Sequence, residues 1–130
     1  VAGTALDFAT PRLIGNRLGE LAGKPQGGYD HYFVLDRPST GSVLAARLAE
    51  PRTGRTLELH TTAPGFQLYS GNGLDGTLVG KRGMIYQRHS GLCLEAHGFP
   101  DAVHHPAFPS VVLRPGEQFR QVTSYRFGTT

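Results

Sequence analysis

The chain has 130 residues, which is the size of one modest domain with a single core. Its formal net charge is +3, from 13 Lys and Arg against 10 Asp and Glu, and the basic residues are scattered along the chain. Binding along a phosphate backbone requires grouped cations with aromatic residues among them, so this composition argues against nucleic acid as the main partner. A small neutral ligand fits better.

Cysteine usage and hydropathy bear on the compartment. The single cysteine, Cys93, excludes an internal disulfide framework and suits a reducing compartment. No run of about 18 apolar residues is present, and the start, VAGTALDF, has neither the basic beginning nor the apolar centre of a signal peptide. We therefore predict a cytoplasmic protein with no membrane partner, and we expect its true start to lie upstream of Val1.

The first half of the chain predicts short strands and turns. Eighteen glycines and nine prolines make long helices improbable. Residues 10–30 predict a loop with at most one short helix near residues 16–22. The segment GGYDHYFVLD predicts a strand that begins after Asp30, and PRTG predicts a hairpin between SVLAARLAE and TLELHTT. Helix propensity alone would also allow SVLAARLAE to be a helix.

Later segments alternate apolar and polar side chains, as half-buried strands do. Gln67 and Tyr69 oppose Phe66 and Leu68 in GFQLY, and Glu95 opposes the leucines in LCLEAH. The tail EQFRQVTSYRF alternates too, and residues 114–117 form a turn that predicts pairing of this tail with SVVL. The whole pattern predicts an all-β, antiparallel fold.

Three polar residues of these strands are candidate site residues. Glu95 is either an ordinary solvent-facing carboxylate or a site residue, since the proline-containing segments GFPD and HHPAFPS that follow it would hold a ligand beside it. Asp30 either caps the turn before its strand or accepts hydrogen bonds from sugar hydroxyls. Gln67, beside Tyr69, suits either an ordinary sheet surface or a site that holds a hydroxylated ring. The residues alone leave both interpretations open for each position.

Metal binding and other motif-based chemistries have little support. Cys93, Glu95 and His97 alternate along one strand, with His104 and His105 nearby, and could be interpreted as metal ligands. A thiolate, a carboxylate and an imidazole in that spacing would be an unusual set, so we predict no metal. The chain also has no GxSxG, HExxH or glycine-rich phosphate motif, so serine nucleophiles, zinc proteolysis and nucleotide binding have no positive support.

Six segments, in order and over essentially the whole chain, resemble the carboxy-terminal third of the aldose 1-epimerases, also called galactose mutarotases. They are GTALDFATPRLIG, GGYDHYFVLD, PRTGRTLELHTTAPGFQLYSGN, LDGTLVGKRG, YQRHSGLCLEAHGFPD and FPSVVLRPGEQFRQVTSYRF. The resemblance implies that residues 1–130 are the carboxy-terminal part of one large antiparallel β-sandwich domain, the galactose mutarotase-like supersandwich. It also implies an isomerase that interconverts the α and β anomers of free hexoses, such as glucose and galactose, without a cofactor.

The resemblance assigns roles residue by residue. Glu95 matches the family's base, which removes the proton from the anomeric hydroxyl, while Asp30 and Gln67 match sugar-binding residues. The family's general acid is a histidine in an upstream segment that has no counterpart in these 130 residues. His31 matches a different histidine, the one that follows the binding aspartate. We therefore expect this chain to be a fragment of a longer enzyme.

Four positions depart from the family's usual residues. Ala96 and His97 stand where Thr and Gln are usual, Tyr32 stands where Asn is frequent, and Gly73 stands where Phe is frequent. These departures bear on how the base is oriented and which sugar is preferred, rather than on the fold.

Other functions are weighed against this one. A non-catalytic carbohydrate-binding β-sandwich would keep Asp30 and Gln67 without turnover. A glycoside hydrolase would need Glu95 and a second carboxylate, Asp101 or Asp30, roughly 5 to 9.5 Å apart. A sugar-phosphate epimerase would need a cationic cluster, and the Lys-Arg pair at residues 81–82 is too small for one, so a neutral hexose is favoured.

Part of a sandwich leaves apolar faces and strand edges unpaired, which promotes association. We therefore predict that the chain alone self-associates, or pairs with a missing amino-terminal portion. Size-exclusion chromatography of the isolated chain should show oligomers or losses through precipitation. A stable monomer would contradict this prediction.

Overall fold

The computed structural model describes residues 1–36 and 41–130. In chain order, this part contains a 3-10 helix at Ile14–Leu21, strands β1 (Asp30–Val34), β2 (Val43–Glu50), β3 (Arg55–Thr61) and β4 (Gly65–Tyr69), a 3-10 turn at Lys81–Gly83, strand β5 (Cys93–His97), a 3-10 turn at Ala102–His104 and strand β6 (Thr123–Thr129). The predicted all-β class and the single short helix in residues 10–30 are confirmed.

The strands form two three-stranded sheets with the orders β1-β4-β5 and β2-β3-β6. In the second sheet the central strand, β3, pairs antiparallel with both neighbours. The chain divides into two compact units, the first made of Val1–His31 and Leu68–Cys93 and the second of Tyr32–Gln67 and Leu94–Thr130. Among the described residues, no helix is long and apolar enough to cross a membrane.

The hairpin between β2 and β3 is where it was predicted, and SVLAARLAE is a strand rather than a helix. Its turn is held by the Glu50 carboxylate, which accepts the backbone N–H of Arg52 at 3.1 Å and the backbone N–H and hydroxyl of Thr53 at 2.8 and 2.6 Å. The Thr53 hydroxyl and these backbone donors lower the pKa of Glu50 from 4.5 to about 2. The ionised side chain is therefore part of the turn.

The predicted pairing of the tail with SVVL is wrong. Residues 110–113 form no strand, and three of them are about half exposed, although a turn does close between Arg114 and Glu117. Strand β6 begins only at Thr123 and pairs with β3 over seven residue pairs, including Leu59 with Tyr125 and Leu57 with Phe127. The ladder between β3 and β6 has seven residue pairs, more than the four residues of SVVL could form with the tail. Pairing with β3 therefore determines where the tail lies.

Each unit buries a small set of side chains. In the second unit Leu59 and Thr61 are fully buried, and Phe66 stacks on Phe33 with ring centroids 5.5 Å apart. In the first unit Tyr29 is the most deeply buried side chain of the set that follows. The set comprises Ala5, Leu21, Tyr29, Leu68 and Ser70.

Truncation of Leu59, the buried core residue of β3, should destabilise the fold. Leu59→Ala removes a fully buried side chain and leaves a cavity, so we expect the free energy of unfolding in urea to fall by about 2 to 5 kcal/mol. Phe127→Ala is the matched control, because Phe127 lies in the same sheet and is 82% exposed; its cost should be about 0.5 kcal/mol or less. Equal costs would contradict the burial assigned to Leu59.

The hairpin turn should respond to acid. Since the pKa of Glu50 is held at about 2 in the folded chain, against 4.5 ordinarily, its contribution to stability is present above pH 4.5 and is lost as the pH falls toward 2. Glu50→Gln should therefore flatten the loss of stability over that interval, measured by urea denaturation at each pH. Thr53→Val, which keeps the carboxylate and removes one donor, should give an intermediate slope. An unchanged acid dependence in Glu50→Gln would argue against this role.

Candidate active site on the first sheet

The β1-β4-β5 sheet carries all three residues predicted from the sequence. Asp30 is the first residue of β1, Gln67 is the central residue of β4 and Glu95 is the central residue of β5. Because β4 lies between the other two strands, Gln67 and Glu95 occupy the middle of neighbouring strands. Both of these residues belong to the second unit, whereas Asp30 belongs to the first.

Side-chain alternation determines which way the two central residues point. Phe66 and Leu68 are buried on β4 and Gln67 between them is half-buried, while Leu94 is buried on β5 and Glu95 beside it is exposed. Successive side chains of a strand point to opposite sides of the sheet. The alternation predicted for residues 66–69 and the contrast between Leu94 and Glu95 are therefore confirmed, and Glu95 projects toward solvent, whereas Leu92, just before β5, is 40% exposed.

The first unit has a cavity of about 340 Å³ at one end of these strands. Tyr69, the last residue of β4, and Cys93, the first residue of β5, both line it. The remaining lining residues are Gly71, Leu74, Tyr86, Ser90, Gly91 and Leu92.

A buried polar network in the first unit holds the backbone from which Asp30 projects. Tyr29, directly before Asp30, donates its backbone N–H to the Ser70 hydroxyl oxygen at 3.0 Å, and the Ser70 N–H donates to the Tyr29 carbonyl at 3.0 Å. The Asn72 amide donates to the same Tyr29 carbonyl at 2.8 Å, and the Ser70 hydroxyl donates to Asn72 Oδ1 at 2.6 Å. His89 Nδ1 bonds the Ser70 carbonyl at 2.8 Å, which requires the proton on Nδ1.

His31 is turned toward its own backbone. Its Nδ1 accepts the backbone N–H of Asp30 at 3.0 Å, so in the neutral ring the proton lies on Nε2.

In the loop after β5, the Asp101 carboxylate contacts side chains of the same loop. Asp101 lies at φ +55° and bonds the rings of His104, through Nδ1, and of His105, through Nε2 at 3.4 Å. All three side chains are more than half exposed. Among residues 1–36 and 41–130, no group of three or more His, Cys, Asp or Glu side chains is arranged to hold a metal ion.

Tyr32 lies near the candidate site residues of β4 and β5. The sequence analysis noted only that it differs from the residue frequent in the family. Its hydroxyl donates to the backbone carbonyl of His97 at 2.8 Å, and the two rings lie 5.1 Å apart. The available signal was that Tyr32 and His97 both depart from the family pattern. Only the strand order shows that they meet.

Over its described residues, the chain is a β protein with two three-stranded sheets. A crystal structure of the GalM/aldose epimerase homologue from C. elegans matches it with a TM-score of 0.79 and 27% sequence identity, over 99% of this chain and 38% of that one. The sequence model of the aldose 1-epimerase family matches residues 1–126. The chain belongs to the aldose 1-epimerase family.

Individual relatives agree with this assignment. The galactose mutarotase of Homo sapiens is 46% identical over 127 residues, which are 98% of this chain and 36% of that protein. The aldose 1-epimerase of Escherichia coli (strain K12) is 38% identical over 131 residues, covering 98% of this chain and 37% of that protein. The chain thus spans little more than a third of the length of these relatives.

Loss of the Ser70 hydroxyl should destabilise the first unit. Ser70→Ala leaves the buried N–H of Tyr29 without its acceptor, so we expect the free energy of unfolding in urea to fall by about 1 to 3 kcal/mol. Ser110→Ala is the control, because Ser110 is exposed and its hydroxyl accepts one local N–H. If both variants were equally stable, the network would not be needed to hold this backbone.

Proposed function

We propose that this chain carries the base-bearing part of an aldose 1-epimerase that interconverts the α and β anomers of a free hexose such as galactose or glucose. The observation that carries the proposal is the placement of Glu95, exposed at the centre of β5 and next to the strand that presents Gln67. Membership of the aldose 1-epimerase family supports the reaction type.

The proposed chemistry is acid–base ring opening. The Glu95 carboxylate takes the proton from the anomeric hydroxyl, the C1–O5 bond breaks, and an acid delivers a proton to the ring oxygen. Rotation about C1–C2 and reclosure on the other face of the carbonyl give the second anomer, and both protons return. A positioned general base contributes about 10² to 10⁴-fold.

Asp30 and Gln67 are proposed to bind the sugar. A carboxylate accepts hydrogen bonds from sugar hydroxyls, and an amide both donates and accepts them, so both side chains suit a sugar ligand. The general acid is proposed to come from the upstream segment of the family, because no counterpart of it occurs in this sequence. No metal or cofactor enters these steps.

The partner is proposed to be a neutral sugar rather than a nucleic acid or a membrane. Basic residues are scattered, and the exposed Cys93 is compatible with a reducing compartment, which supports a cytoplasmic location. We also propose that the chain pairs with the amino-terminal portion of the family's fold. Large apolar side chains such as Phe127, Phe119 and Val79 are at least two-thirds exposed, and an added layer would cover side chains of this kind.

A second candidate is a carbohydrate-binding β-sandwich without turnover. It is favoured by the lack of a counterpart for the family's general acid, while the proposed binding residues are present. The two candidates make different predictions for the same measurement.

Polarimetry of freshly dissolved α-D-galactose and α-D-glucose tests the proposal directly. We expect the chain, paired with the amino-terminal portion that carries the proposed general acid, to accelerate mutarotation above the rate in water, and Glu95→Gln, which keeps the shape of the side chain, to reduce that acceleration by about 100-fold or more. Calorimetry on both proteins supplies the control, since Glu95→Gln should still bind galactose. Binding without any acceleration would replace the epimerase with the carbohydrate-binding alternative, and acceleration that survives in Glu95→Gln would remove Glu95 as the base.

A further inference from the structure

We propose that Tyr32 is a specificity-determining residue, an aromatic wall that closes one end of the sugar site on β4 and β5 and limits it to unsubstituted monosaccharides. The inference rests on the proposed function, because it assumes that the sugar lies at Gln67 and Glu95. Tyr32, both of those residues and all the contacts used below belong to the second unit.

Gly65 shows on which side of the sheet the Tyr32 ring lies. A Cβ at Gly65 would come within 2.4 Å of the Phe33 carbonyl oxygen, 2.5 Å of Tyr32 Cζ and 2.6 Å of the Tyr32 hydroxyl oxygen, so the end of the ring shares the space where a side chain of residue 65 would project. Gly65 and Gln67 are two residues apart on β4, and alternate residues point to the same side. The Tyr32 ring therefore lies on the side of Gln67.

His97 gives the same result for β5. The Tyr32 hydroxyl donates to the His97 carbonyl at 2.8 Å, and the ring centroids of the two residues are 5.1 Å apart. His97 follows Glu95 by two residues, so its side chain shares the side of Glu95. Two residues of a strand span about 7 Å. The ring thus stands about one side-chain step beyond Gln67 and Glu95 along both strands.

The ring is held in place rather than free to swing aside. Phe99 packs against Tyr32 at 5.4 Å between centroids, and Phe108 packs against Phe99 at 4.9 Å. Burial raises the pKa of Tyr32, so the phenol stays protonated and keeps its hydrogen bond at neutral pH. Because a hydrogen bond and a row of aromatic rings both restrain it, the ring cannot yield to a larger ligand at low cost.

The chemistry of this wall indicates the ligand class. The O–H proton is donated to the His97 carbonyl, so the hydroxyl has no further proton to donate, and the ring carbons offer the site an apolar edge or face. Such a surface suits the C–H groups of a single pyranose ring, whereas a second sugar attached on that side would overlap with it. Discrimination by a steric clash is a common source of specificity.

Affinity ratios for a monosaccharide and its substituted forms test the wall. The ligands are D-glucose, lactose and melibiose, which carry the same reducing glucose, unsubstituted or with galactose at O4 or O6, and calorimetry gives each Kd. In Tyr32→Ala we expect the affinity for at least one disaccharide, relative to glucose, to rise by about tenfold or more. Tyr32→Phe keeps the ring and removes only the hydroxyl, so it should keep the wild-type ratio much more closely.

A general loss of stability would weaken the binding of all three sugars together and leave the affinity ratios unchanged. The ratios therefore distinguish a tyrosine that limits ligand size from one that only stabilises the fold. Unchanged ratios in a folded Tyr32→Ala that still binds glucose would overturn the inference. Should Tyr32→Ala fail to fold, Tyr32→Asn, with the residue frequent in the family, gives the same test. If the unaltered protein bound none of the three sugars, the proposed function itself would fall, and that result differs from an unchanged ratio.

Discussion

Alternation of side chains along β4 and β5 is the constraint on which the rest of the candidate site depends. Leu94 must be buried, so Glu95 on the same strand has to project from the other side of the sheet, and Phe66 and Leu68 place the same requirement on Gln67. A shift of one residue in either strand would bury the carboxylate or the amide and expose the apolar residues. The hydrophobic core and the polar site are therefore two consequences of one pattern.

In the β1-β4-β5 sheet, an aromatic side chain bounds the proposed site beside its polar residues. Tyr32 reaches over Gly65 to the carbonyl of His97, and this path exists only because residue 65 has no side chain. In the first unit, the network of Tyr29, Ser70, Asn72 and His89 satisfies buried backbone groups that would otherwise be costly. Both arrangements join residues distant in sequence, and both depend on strand order.

Sequence reasoning succeeded where structure is determined locally. The hairpin between β2 and β3 follows from a turn of four residues between two strands, and its turn is closed by contacts within residues 50–54. The same reasoning failed for the tail. It paired residues 110–113 with the tail across a real turn, but β6 pairs with β3, more than sixty residues earlier along the chain. A turn signal shows that the chain reverses and does not show which strand it then meets.

By itself, the sequence determined the all-β class, the family and the alternation that exposes Glu95 and half-buries Gln67, because periodicity, turn residues and motifs are properties of neighbouring residues. Only the tertiary structure decided that β4 lies between β1 and β5, that β6 joins β3, and that Tyr32 meets His97. Those arrangements form because they bury the apolar faces and hydrogen-bond the strand edges of separate segments at the same time. Which segments pair depends on the free energy of the whole fold, so no single stretch of residues indicates it.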